Sequence, residues 1–107
     1  METFRQILTE NKDYEKKAIK DLTKVIIDLD KKLDTDEKYE DFFSKLYNSG
    51  LDEEVSELID SVIGLKKYDI EDKLKRGLES NYRKTGTEVR AAADAAEYEI
   101  KKLLRKI

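Results

Sequence analysis

Two closely spaced carboxylate pairs, Asp28-Leu29-Asp30 and Asp34-Thr35-Asp36, are the residues of this chain best suited by type to chemistry. Alternating acids could offer oxygen ligands to a hard cation such as Ca²⁺ or Mg²⁺. The neighbouring sequence does not complete such a site. A calcium loop needs a mid-loop glycine and a distal glutamate at fixed spacing, and neither pair has them. The chain has no histidine, which removes the commonest general base, the commonest transition-metal ligand and the Glu-x-x-His motif of di-iron bundles. It has no cysteine, which removes thiolate metal sites, disulfides and a thiol nucleophile. No glycine-rich phosphate loop is present. Serine, lysine and carboxylates remain, but they form no nucleophile–base constellation. The expectation is a protein that is not an enzyme and has no catalytic residues, no cofactor and no metal.

A second chemistry is electrostatic. Lys66, Lys67, Lys73, Lys75, Arg76, Arg83, Lys84 and Arg90 are interleaved with Tyr68 and Tyr82. Cations can grip phosphates while tyrosines stack on bases, so Lys73, Lys75, Arg76, Arg83, Lys84 and Arg90 are candidate nucleic-acid contacts. Two facts weigh against that reading. Asp69, Glu71, Asp72 and Glu79 lie in the same stretch. The chain as a whole is acidic, with a net charge of −3, whereas nucleic-acid binders usually carry a basic footprint. The charge is also uneven. Residues 28–60 hold twelve acids and four bases, while residues 61–107 hold twelve bases and eight acids. An acidic middle could draw a basic partner, or the basic last arm of a second copy. Dipole complementarity alone explains much of this, because acids crowd helix starts and bases crowd the final turn.

These residues must be positioned by helices. Phe4, Ile7, Leu8, Tyr14, Ala18, Leu22, Val25, Ile26, Leu29 and Leu33 step by threes and fours, with Asn11 in phase. So do Ile70, Leu74, Leu78, Tyr82, Val89, Ala92, Ala93, Ala96, Ile100, Leu103 and Ile107. That spacing places side chains on one helix face. With no proline in 107 residues, long helices are unobstructed. The pattern predicts one all-α domain, an antiparallel helical bundle. Two long helices are expected at about 3–33 and 69–106, with a middle arm of two shorter helices at about 36–48 and 52–63.

Local signals set these limits. Asp34 with Glu37, or Thr35 alone, can cap the second helix. Gly50 and Gly64 suit the left-handed position after a helix. Asp69 is the expected cap of the last helix. Gly86 admits two readings, since Thr85 and Glu88 could form a new capping box there. The stripe keeps phase from Tyr82 through Thr85 to Val89, so one helix kinked at Gly86 is the reading adopted. Asp13–Lys17, Asp28–Lys32, Glu71–Lys75, Asp72–Arg76, Glu79–Arg83 and Glu97–Lys101 are acid-before-base pairs at i,i+4.

A chain that is 38% apolar and 44% charged has little hydrophobic surface to spare, and small domains bury a smaller share of their surface than large ones. Sharing a core with another subunit would help. Ala91 and Ala95 flank the last stripe and widen its apolar face towards Tyr98. Tyr39, Phe42, Phe43 and Tyr47 put four rings in nine residues. Phe42 and Phe43 point about 100° apart on a helix, so one could be core and the other an exposed anchor, but rings on a short helix mostly compensate for limited area and a core role for the cluster is the reading favoured. The candidate partner interface is therefore Phe42, Phe43, Tyr47, Ala91, Ala95 and Tyr98.

The functional expectation is a non-catalytic protein–protein interaction module, whether adaptor, inhibitor or immunity-type, that self-associates. Nucleic-acid binding through 66–90 is the alternative, and peripheral association of an amphipathic arm with a membrane surface is the next. The Met1-Glu2-Thr3-Phe4 start has no signal-peptide pattern and no apolar run could span a bilayer. With no cysteine either, a cytoplasmic location is favoured. The Lys-, Ile- and Asp-rich composition is of a kind associated with bacterial or phage proteins. Length and plan resemble spectrin-type repeats and small bacterial immunity bundles, without a residue diagnostic of either, and no family is assigned.

Overall fold

The first apolar stripe forms a single helix, α1 (Glu2–Lys32), in the computed structural model of the chain. The structure describes the backbone of residues 2–84 and 86–106, and side chains within 14–84 and 87–106. The expected roles of Phe4, Ile7, Leu8, Asn11, Asp13, Thr85 and Ile107 lie outside the described residues. From Ala18 onwards the stripe is buried as expected, through Leu22, Val25, Ile26 and Leu29. Ile19 joins it, and the buried Thr23 hydroxyl donates to the Ile19 carbonyl at 2.8 Å. An otherwise unpaired polar atom is thereby satisfied inside the helix.

Thr35 caps α2 (Asp36–Tyr47), its hydroxyl accepting the Lys38 amide at 3.2 Å. After α2 the chain turns through Gly50 at φ +91°. Asp52 then caps α3 (Glu53–Val62) by accepting the Glu54 amide at 3.0 Å. Gly64 follows at φ +86°, the left-handed conformation a glycine adopts at least cost. α4 (Lys67–Arg76) starts two residues before the expected cap. Lys66 occupies the N-cap without a side-chain bond, and Asp69 sits in the first turn, where its charge complements the dipole. A π-helical turn at Gly77–Asn81 extends α4, and α5 (Gly86–Leu104) completes the chain. The fold is an all-α helical bundle.

The three-armed plan needs two corrections. First, α2 and α3 do not lie end to end as one broken arm. They form an antiparallel hairpin: the Tyr39 hydroxyl donates to Asp60 near the end of α3, and Tyr47 lies by Glu53 and Glu57 near its start. Second, the expected helix 69–106 is interrupted at residues 82–84, before Gly86, and reverses direction. Lys16 and Lys20 of α1 share a cleft with Lys75 and Glu71 of α4, so those helices are antiparallel. Tyr14 lies against Arg90, and Ala18 and Asp21 share a cleft with Asp94, so α1 and α5 run the same way.

The physical reason for the second reversal is backbone geometry at the end of α4. The π turn carries one residue more per turn than an α-helix, and the Tyr82 amide donates back to the Gly77 carbonyl at 3.0 Å. Arg83 then takes the left-handed conformation at φ +53°. The Lys84 amide closes the end by donating to the Leu78 carbonyl at 2.8 Å, a Schellman-like lock stretched by the π turn. A stripe that keeps phase by count therefore belongs to two helices.

One core joins all five helices, including Leu22 and Ile26 of α1, Phe42 and Leu46 of α2, Ile59 of α3, Leu74 of α4 and Ile100 of α5. α3 and the π turn meet closely at Gly77, where a Cβ would stand 2.7 Å from Leu58 Cδ1. Phe42 and Phe43 are both core residues, 2% and 4% exposed, as the favoured core reading of the cluster has it, and neither projects as the anchor that the candidate interface needed. α2 lies between α3 and α5, so side chains about 100° apart both find cover. The two rings meet edge-on at 5.2 Å, and Tyr39 tilts against Phe43 at 4.8 Å.

Candidate protein interface

α5 turns Val89, Ala93, Ala96, Ile100 and Leu103 inwards. Its outer positions follow from the same periodicity. Glu88, Ala91, Ala95, Tyr98 and Lys102 are all exposed, and Tyr98 keeps 66% of its surface in water. Ala91, Ala95 and Tyr98 line a groove of about 430 Å³ with Ala92, which is itself partly buried. The opposite wall is the α2–α3 turn, Ser49 to Asp52, together with Val55. Lys84 ties the two walls by pairing with Asp52 at 3.3 Å, and its side chain is mostly covered. Small side chains thus leave a hollow whose floor is apolar and whose rim carries Glu88 and Glu99.

The structure brings together three of the six expected interface residues: Ala91, Ala95 and Tyr98. Phe42 and Phe43 are removed from the surface by burial. Tyr47 is exposed but does not line the groove. Partial desolvation of its phenol, with the charges of Glu57 and Glu53 and with Tyr82 nearby, pushes that group above the usual value. The groove's far wall had no signal in the sequence, because Leu51 and Val55 come within reach of α5 only through the α2–α3 hairpin.

The six basic candidates are dispersed. The Lys73 ammonium donates to the Ser61 carbonyl of α3 at 3.4 Å. Lys75 borders α1. Arg76 pairs with Asp72 at 3.3 Å, and Lys84 with Asp52. Arg90 pairs with Asp94 at 3.7 Å and stacks over the Tyr14 ring at 4.6 Å. Arg83 is exposed in the turn after α4, so the expected Glu79–Arg83 helix pair lies where the helix has ended. Tyr68, the most exposed ring among the described residues at 77%, lies with Lys16, Lys20 and Lys75. Lys73 thus reaches α3, Lys75 and Arg90 lie against α1, and Lys84 reaches the α2–α3 turn.

Of the carboxylate pairs, Asp34 is held by the Lys38 ammonium at 2.9 Å, and that bond and charge keep its carboxyl below the usual range. Among the described residues no group of three or more acids is arranged to hold a metal ion, and no helix is long and apolar enough to cross a membrane. No family model matches the chain, and no curated protein or solved structure matches it.

Proposed function

We propose that this protein is a non-catalytic protein–protein interaction module of the adaptor, inhibitor or immunity type, and that it self-associates through the outer face of α5. The observation that carries the reading is the exposed Ala91–Ala95–Tyr98 surface over its apolar groove. Aromatic side chains with most of their surface in water beside a hollow of small residues are favourable anchors, because covering both removes apolar area from solvent at ~25 cal/mol per Å². The composition supports it too: a small chain that is 44% charged gains stability by covering such a face with another subunit.

Light scattering and sedimentation over a range of concentrations test this. The wild-type mass is expected to rise above that of one chain as concentration increases. Ala95→Glu places a charge at an exposed position, so its helical spectrum should be unchanged and its stability should move by no more than ~0.5 kcal/mol. Its mass should stay at one chain throughout. A wild type that remains a single chain up to millimolar concentration, or an Ala95→Glu variant that associates like the wild type, contradicts the reading.

A further inference from the structure

The exposed face of α5 carries a register as well as an apolar patch. Glu88, Ala91, Ala95, Tyr98, Lys102 and Arg105 step by three, four, three, four and three, the spacing of a coiled-coil seam. Every one of them is exposed. Arg105 lies just past Leu104, yet its amide still donates to the Lys101 carbonyl at 3.3 Å, so the helical path reaches it. Four charges beside the seam pair within the chain, Arg90 with Asp94 at 3.7 Å and Lys101 with Glu97 at 2.8 Å, while Glu99 makes no ion pair among the described residues. At the ends of the seam, neither Glu88 nor Arg105 makes an ion pair among the described residues.

We infer that the partner on this face is a second copy of the chain, docked with its α5 antiparallel. The inference rests on the self-association proposed above and specifies its geometry. In an antiparallel helix pair, the two alternating rows of a seam face one another across a two-fold axis. The seam is symmetric about the point midway between Ala96 and Glu97, so the axis passes there. Ala95 then faces Tyr98 of the second copy, Ala91 faces Lys102, and Glu88 faces Arg105. Each contact occurs twice by symmetry.

Three complementarities meet in this one register. The large Tyr98 ring enters the hollow left by alanine. The Lys102 stem lies over Ala91 while its ammonium stays in water. The unpaired acid at one end of the seam meets the unpaired base at the other. A parallel pair would instead set Glu88 against Glu88 and Tyr98 against Tyr98, with like charges opposed. The seam from Glu88 to Arg105 is about 26 Å long at ~1.5 Å per residue. A contact of that length is at the small end of stable interfaces, so the dimer is expected to be weak and concentration-dependent.

Charge exchange tests the register by sedimentation at low salt. Glu88→Arg alone and Arg105→Glu alone each oppose like charges at both ends of their own homodimers. Each should weaken association on the order of tenfold. Mixing the two variants restores both opposite-charge pairs, so the mixture should associate about as tightly as the wild type. The double variant Glu88→Arg/Arg105→Glu should do the same by itself. Helical content and thermal midpoint are read for every variant, since both positions are exposed and folding should be unaffected. If Ala95→Glu abolishes association but the single charge variants associate normally, or the mixture is not restored, self-association through α5 stands and the antiparallel register is overturned. If the wild type is a single chain at every concentration, both are overturned.

Discussion

Tyr39 and Asp60 show how one polar contact ties two helices. The Tyr39 hydroxyl donates to a partly buried Asp60 carboxyl across the α2–α3 hairpin. Tyr39→Phe keeps the ring contact with Phe43 but leaves that carboxyl without its donor, and should cost about 1–2 kcal/mol in denaturant unfolding. Burial pushes the Asp60 carboxyl above its ordinary value of 3.8, so the folded chain binds that proton more readily than the unfolded one. Its contribution to stability is present in full below the unfolded pKa and is lost as pH rises through the raised folded value. Asp34 behaves oppositely. Lys38 holds it below 3.8, so its contribution is present above the unfolded pKa and is lost as pH falls through the lowered folded value. On acidification, a carboxyl-detected NMR titration should show Asp60 taking its proton before Asp34; the reverse order would contradict these environments. Arg83 offers a third check. It holds φ +53° without being glycine, so Arg83→Gly should raise stability by roughly 0.5–1 kcal/mol. A loss of stability would show that the Arg83 side chain contributes more than its backbone strain costs.

At the scale of elements, local punctuation was legible and direction was not. Thr35, Gly50 and Gly64 act where their types imply, because capping and left-handed turns are set by a few neighbouring atoms, whereas Asp52, expected as the first residue of its helix, is the N-cap. A turn signal marks where a helix stops, however, and carries no information on where the next one goes. The stretch 48–52 therefore fits a collinear break as well as the hairpin that forms. The reversal at residues 82–84 was hidden further, because an arginine in the left-handed region has no sequence signature while Gly86 draws attention to itself. Gly77 is the element-scale contact most open to test. Its missing Cβ lets the π turn approach Leu58 of α3. Gly77→Ala should destabilise the fold by about 1–3 kcal/mol through overpacking. Adding Leu58→Val should cost less than the sum of the two single changes, since the pair shares one space. Strict additivity in a double-mutant cycle would show that the contact is loose.

For the whole molecule, five amphipathic helices close one core, and the outer face of the last helix keeps its small and aromatic side chains in water. The inward stripes were legible because helical period and burial coincide. The exposure of Ala91, Ala95 and Tyr98 was legible for the same reason: they flank the buried stripe and so face outwards. Phe42 and Phe43 are both removed from the candidate interface because α2 packs against α3, across a short turn, and against α5, which is remote in sequence. The most direct measurement of self-association through α5 is a dilution series followed by backbone amide NMR, from millimolar to micromolar protein. Shifts that move with concentration should fall on Glu88 to Arg105 of α5 and on the facing turn around Leu51, while Tyr68 and Tyr47 stay still. Spectra that do not change on dilution, or changes centred on Tyr68 and the α1–α4 cleft, would contradict it.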